Sequence, residues 1–156
     1  MLIAQISDCH IRSGPSPFDK LVDSSETLKQ VVSHLLSNKV QPDVLLATGD
    51  LTESGTDEEY VELLDLLSPL DLPILPIPGN HDEYSKFENS LERYLPKELP
   101  NSHCSYVNDD FPIRLIGLDT SLPGRHDGAF DDERFEWLRG KLVSESETPT
   151  LPFTHF

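Results

Sequence analysis

An α/β fold with a mixed, mostly parallel sheet is predicted by three features of this 156-residue chain. Short apolar runs alternate with longer amphipathic stretches, and the connections between them are brief. The early apolar runs end in small or polar residues (Gly, Asp, Asn, His) rather than in hairpin turns. Strands separated by helices pair in parallel, because the intervening helix carries the chain back to the edge from which it started.

The first run, "LIAQIS" at residues 2–7, reads as a strand that empties into Asp8 and His10. In the stretch 16–39, Leu28, Val31, Val32, Leu35 and Leu36 recur at helical spacing, and Asp23 with Glu26 makes a capping-box pattern, predicting an amphipathic helix of about 14 residues. "PDVLLATGD" is a continuous apolar run, as in a strand covered on both faces, and ends at Gly49 and Asp50. A second helix starts near Thr56, capped with Glu59, and carries Tyr60, Leu63, Leu64 and Leu67 on one face. "PILPIPGNHD" supplies a third strand and a Gly79-Asn80-His81-Asp82 turn. A helix near residues 85–95 follows.

The second half reads as a hairpin, "HCSYVNDD" against "PIRLIGLDTS", turning around Asn108 to Pro112. The loop "LPGRHDGAF" leads to a helix in "DDERFEWLRGKL", with Phe135, Leu138 and Leu142 expected inward and Trp137 packed towards the sheet. "TPTLPFTHF" begins another strand bearing His155. The Ser/Glu run near 144–148 reads as a loop.

Composition narrows the function classes. Twelve Lys and Arg against 28 Asp and Glu give a formal charge of −16, a surface that repels nucleic-acid backbones and anionic membranes. A small phosphorylated substrate remains compatible, since divalent cations held by carboxylates reverse the local sign. Two cysteines, Cys9 and Cys104, form neither a disulfide framework nor a zinc-finger spacing. No apolar stretch approaches ~20 residues, and the N-terminus lacks the basic start of a secretory signal. A cytoplasmic protein is expected.

The polar residues gather at one end of the strands, where open α/β sheets build their sites. The strand ends bearing Asp8 and His10, Asp50, Asn80 with His81 and Asp82, and His155 together offer carboxylate, imidazole and amide oxygen, a borderline-to-hard donor set suited to ions such as Mn²⁺, Fe²⁺ or Fe³⁺, Zn²⁺ or Co²⁺. Strand alternation would point Asp8 and His10 to the same side. Asp50, with two carboxylate oxygens, is the natural bridge between ions ~3.5–4 Å apart. Each piece alone is what turns and helix caps also use; turn chemistry does not require a His at position 10 or three such ends in register.

The blocks "DCH" (8–10), "GDLT" (49–52) and "GNHD" (79–82), with the later His155, resemble the calcineurin-like metallophosphoesterases, whose pattern is D-x-H, G-D-x-x, G-N-H-D/E, a His, and then G-H-x-H. The segment 113–142 is similar to the branch of class III cyclic-nucleotide phosphodiesterases and glycerophosphodiesterases. The resemblance implies the N-terminal portion of a four-layer α/β/β/α sandwich. It implies a first ion on Asp8 and His10, Asp50 as bridge, and a second ion on Asn80 and His155. It further implies His81 facing the substrate phosphate, Asp82 orienting His81, and hydroxide generated by the ion pair attacking a phosphodiester in line, with 3′,5′-cyclic AMP the foremost substrate. Cys9, where the family commonly has Thr or Leu, is expected to point into the core.

No G-H-x-H follows, so the chain is expected to be the leading part of a single longer domain. The competing expectation is an inactive fragment that binds metal weakly or not at all and could pair with a second copy through its uncovered edge. A flavodoxin-like nucleotide module fits less well, because "SDCHIRSGPSP" offers an acid and a histidine where a phosphate loop is needed. Among the remaining residues, His126 on its loop is a candidate substrate contact, Arg125 a weaker one, and Asp119 a cap or hydrogen-bond partner for the neighbouring loop. His34 is expected to be a surface or boundary residue, and His103 and Cys104 to be structural.

Overall fold

A computed structural model describes residues 1–14, 22–100, 103–144 and 147–155. The approach to the first helix at 16–21 and part of the 144–148 loop lie outside the described residues. The chain runs β1 (Ile3–Ile6), α1 (Ser24–Ser37), β2 (Val44–Thr48), α2 (Asp57–Leu67), β3 (Ile74–Ile77) and α3 (Tyr84–Ser90). A 3₁₀ turn (Glu92–Tyr94), β4 (Tyr106–Asn108), β5 (Arg114–Leu118), α4 (Asp132–Ser144) and β6 (Thr150–Thr154) complete it.

Two three-stranded sheets result, β1-β2-β3 and β4-β5-β6. The first is entirely parallel, with Ile3 opposite Val44 and Leu45 opposite Ile74. In the second, β4 and β5 are antiparallel, as the hairpin reading required, and β6 joins β5 in parallel. All five residues of β2 are buried, and their alternation divides the core. Leu45 and Ala47 face α1 and α2, packing with Leu28, Val32, Tyr60 and Leu63. Val44 and Leu46 face the second sheet, packing with Tyr106, Leu115 and Phe153. Gly117 lets the sheets approach closely: a Cβ there would lie 2.9 Å from Ile77 Cγ2. This is helix, sheet, sheet, with α4 as a fourth layer.

Helix starts follow their capping residues. Asp23 accepts from Glu26 N at 2.9 Å to open α1. Thr56 and Glu59 make the full reciprocal box of α2, at 3.3 Å and 3.2 Å. The expected helix at 85–95 divides into α3 and the 3₁₀ turn. Cys9 packs against the helix-side core as expected, and burial pushes its thiol up to about 12.

The inward face of α4 differs from expectation. Phe135 and Leu142 are exposed, whereas Arg134 is buried. Its guanidinium donates to the Asp119 carbonyl at 2.9 Å and the Ser121 carbonyl at 3.1 Å, and pairs with Asp131 at 2.8 Å. Those carbonyls at the exit of β5 need donors, and satisfying them sets the rotation of the helix. Trp137 is half-buried and meets the His103 ring edge-on at 5.6 Å. No described helix is long and apolar enough to cross a membrane.

Candidate metal centre

Three loops at the carboxyl ends of β1, β2 and β3 are zipped together by backbone bonds. Asp8 N donates to the Gly49 carbonyl at 3.1 Å, His10 N to the Asp50 carbonyl at 2.9 Å, and Gly49 N to the Ile77 carbonyl at 3.1 Å. Asp8, His10 and Asp50 all take positive φ, of 54°, 44° and 50°, and are the non-glycine residues that do so among those described. An L-residue there gives up on the order of 1 kcal/mol, so three neighbours in one site mark a shape that the loops hold against local preference. β1 ends at Ile6, before either side chain. It is this left-handed backbone, not the expected strand alternation, that turns Asp8 and His10 towards the centre.

The Asp50 carboxylate occupies the middle. Its Oδ1 accepts the His81 backbone N–H at 3.0 Å. Its Oδ2 lies 3.8 Å from His10 Nε2 and 3.5 Å from His155 Nε2. One oxygen thus faces two imidazole nitrogens at separations that leave room for cations between them. Ligand atoms of Asp8, Asp50 and His155 all lie within 4.8 Å of one another, and so do those of His10, Glu53 and His81. Asp8 thus shares a group with Asp50 and His155.

Close approach of the loops depends on two glycines. A Cβ on Gly79 would sit 2.2 Å from Asp50 Oδ1 and 2.3 Å from Asp50 N; one on Gly49 would sit 2.3 Å from His155 Cγ. Gly79→Ala is therefore expected to displace Asp50, lower stability by about 1–3 kcal/mol and weaken Mn²⁺ binding. Thermal melting and calorimetric titration check both effects.

The hydrogen bonds determine which nitrogen of each histidine carries the proton. His81 Nδ1–H donates to the Glu53 carbonyl at 2.8 Å, which directs Nε2 outward. His10 Nδ1–H donates to Glu53 Oε2 at 2.9 Å, which leaves the Nε2 lone pair turned to Asp50. His126 Nδ1 accepts from the Asn80 amide nitrogen at 3.2 Å. That bond frees the Asn80 oxygen for a cation and presents His126 Nε2–H as a donor. The His126 and His81 rings are 5.9 Å apart, so the loop histidine does come to the site. The Arg125 guanidinium, on the same loop, pairs with Asp127. Asp119 accepts from Cys104 N and Ser121 N, each at 2.8 Å, the loop role expected of it.

Asp82 makes different bonds from those expected. It does not orient His81. Its buried carboxylate accepts from Gly79 N (2.9 Å), Leu51 N (3.1 Å), Thr52 N (3.1 Å), Thr52 Oγ1 (3.0 Å) and Tyr60 Oη (3.0 Å). Asp82 is the knot between the 49–52 and 79–82 loops. Burial pushes its carboxyl pKa up, and the donors from Gly79, Leu51 and Thr52 pull it back.

Glu53 is the residue that sequence reasoning missed. In "GDLTESG" it looks like an ordinary turn acid, and no periodicity distinguishes it. Its spacing of three from Asp50, on the same strand-end loop, was the available signal.

The donor set fits hard or borderline cations: carboxylates, an amide oxygen and imidazoles, with room between Asp50 Oδ2 and each Nε2. Comparison with known proteins agrees. Residues 1–155 match the family model described as calcineurin-like phosphoesterase. A probable glycerophosphodiester phosphodiesterase from Arcobacter nitrofigilis is 39% identical over 156 residues, 99% of this chain and 56% of that protein. A probable cyclic nucleotide phosphodiesterase from Rhodococcus erythropolis is 32% identical over 157 residues, 98% of this chain and 51% of that protein. The chain thus spans about half the length of these relatives. The solved phosphopantetheinyl hydrolase from Mycobacterium tuberculosis shares the fold, with TM-score 0.56 at 16% identity over 99% of this chain and 68% of that one. Because the family match covers residues 1–155, including the three strand-end loops and His155, the chain belongs to the calcineurin-like phosphoesterase family.

Proposed function

We propose that this chain carries the leading part of the active site of a metal-dependent phosphodiesterase acting on small phosphodiesters. The supporting observation is the placement of Asp50, with Oδ2 facing Nε2 of both His10 and His155 while Oδ1 holds the His81 backbone. Asp8, His10, Asp50, Asn80 and His155 would hold two divalent ions. When bound, such a pair supplies Lewis acidity that acidifies water and offsets charge on phosphoryl oxygens.

The chain's own groups then divide the remaining work. His81, held through Nδ1, turns Nε2 to the substrate; in its cationic form it donates a proton to the departing oxygen. His126 Nε2–H donates to a phosphoryl oxygen. Asp82 keeps the two loops in register. The acidic surface disfavours polynucleotides and leaves small diesters.

Within this reading the foremost substrate is 3′,5′-cyclic AMP, supported by the 32% identity to a protein named as a probable cyclic nucleotide phosphodiesterase. Glycerophosphodiesters are the second reading, favoured by the 39% identity to a protein named for that activity. Hydrolysis of bis(p-nitrophenyl) phosphate by the protein and its Asn80→Ala variant tests the reaction class. Mn²⁺-dependent turnover that Asn80→Ala loses is expected; turnover indifferent to metal would overturn the metal-dependent reaction, and none at all would favour an inactive member.

A further inference from the structure

Glu53 touches both working histidines, each by a different atom. Its carboxylate Oε2 accepts from His10 Nδ1 at 2.9 Å, and its backbone carbonyl accepts from His81 Nδ1 at 2.8 Å. Its own N–H is tied to the Ile11 carbonyl at 2.9 Å, so the residue is anchored to the loop that carries His10. Arg12 Nη2 approaches the same Oε2 at 3.3 Å. The two imidazoles stand edge to face, 4.8 Å between centroids and 81° between planes.

We propose that Glu53 is the positioning residue of this centre, setting the ring orientation and proton location of His10 with its carboxylate and of His81 with its carbonyl. A carboxylate or carbonyl oxygen only accepts, so both Nδ1 atoms carry hydrogen and both Nε2 atoms are directed into the site. For His10 this exposes a lone pair towards Asp50 and any cation there. For His81 it aims the opposite nitrogen at the substrate. The coupling is economical in sequence: one residue, three after Asp50, connects the ion-holding and proton-donating histidines.

The inference rests on the metal-dependent reading for its first consequence but not for its second. Mn²⁺ affinity by calorimetry is expected to fall roughly 10- to 100-fold in Glu53→Ala. Glu53→Gln, whose amide oxygen still accepts from Nδ1–H, is expected to recover most of it. In metal-free protein, ¹H–¹⁵N correlation spectra of the histidine side chains are expected to show His10 as the Nδ1–H tautomer in the protein and in Glu53→Gln. A mixture with the Nε2–H form is expected in Glu53→Ala.

If Glu53→Gln binds Mn²⁺ as poorly as Glu53→Ala while the tautomers are unchanged, Glu53 is itself a ligand, together with His10 and His81, and positioning is overturned. Unchanged affinity and tautomer in Glu53→Ala overturn it as well. If the unaltered protein binds no Mn²⁺, the metal-dependent reading fails, and the tautomer spectra still decide the role of Glu53.

Discussion

Asp82→Ala is expected to cost on the order of 3–5 kcal/mol, enough to lower the melting temperature by roughly 10 °C in a chain of this size. The carboxylate accepts five hydrogen bonds, from Gly79 N, Leu51 N, Thr52 N, Thr52 Oγ1 and Tyr60 Oη. Removing it leaves three buried backbone donors, those of Gly79, Leu51 and Thr52, without their acceptor. Because those loops carry Asp50 and Asn80, Mn²⁺ affinity is expected to fall with stability. Tyr60→Phe, which removes one of the five donors and keeps the ring in the core, is expected to show a smaller loss of about 1 kcal/mol. A melting curve of Asp82→Ala that superimposes on that of the protein would show that the knot holds nothing.

Asp50→Asn separates function from folding. Asparagine tolerates the positive φ of 50° at this position and keeps an oxygen for the His81 N–H. The backbone should therefore stay in place. What is lost is the negative charge between His10 and His155. Mn²⁺ affinity is expected to drop by more than about 100-fold, since removing only an outer partner of a metal ligand already costs 10- to 100-fold. The metal-free melting temperature is expected to stay level or rise, because Asp8 and Asp50 no longer repel each other across a gap of at most 4.8 Å. Calorimetric titration and a melt in chelator read the two effects separately; a parallel loss of stability and affinity would mean that Asp50 is chiefly structural.

Much of this architecture is legible in the sequence because local signals and global packing agree. The uninterrupted apolar run of β2 is buried on both faces, and Thr56 with Glu59 caps α2 as its spacing implies. Asp8, His10, Asp50, Asn80, His81 and His155 are brought to one end of the strands because parallel strands place their carboxyl ends together. What stayed hidden depends on tertiary hydrogen bonds. The five donors on Asp82 come from three separate segments, and no spacing rule assembles them. The rotation of α4 answers to carbonyls at the end of β5, which outweigh the apolar spacing of Phe135 and Leu142. The left-handed turns at Asp8 and His10 are set by bonds to residues 49 and 50, some 40 positions away.

Anomalous diffraction at the manganese edge, from crystals of the protein grown with Mn²⁺, tests the centre most directly. Two ions are expected to share the Asp50 carboxylate, one on the His10 side and the other on the His155 side, with Asn80 turned to the centre. A single ion held by His10, Glu53 and His81, or no ordered ion beside Asp50, would contradict it.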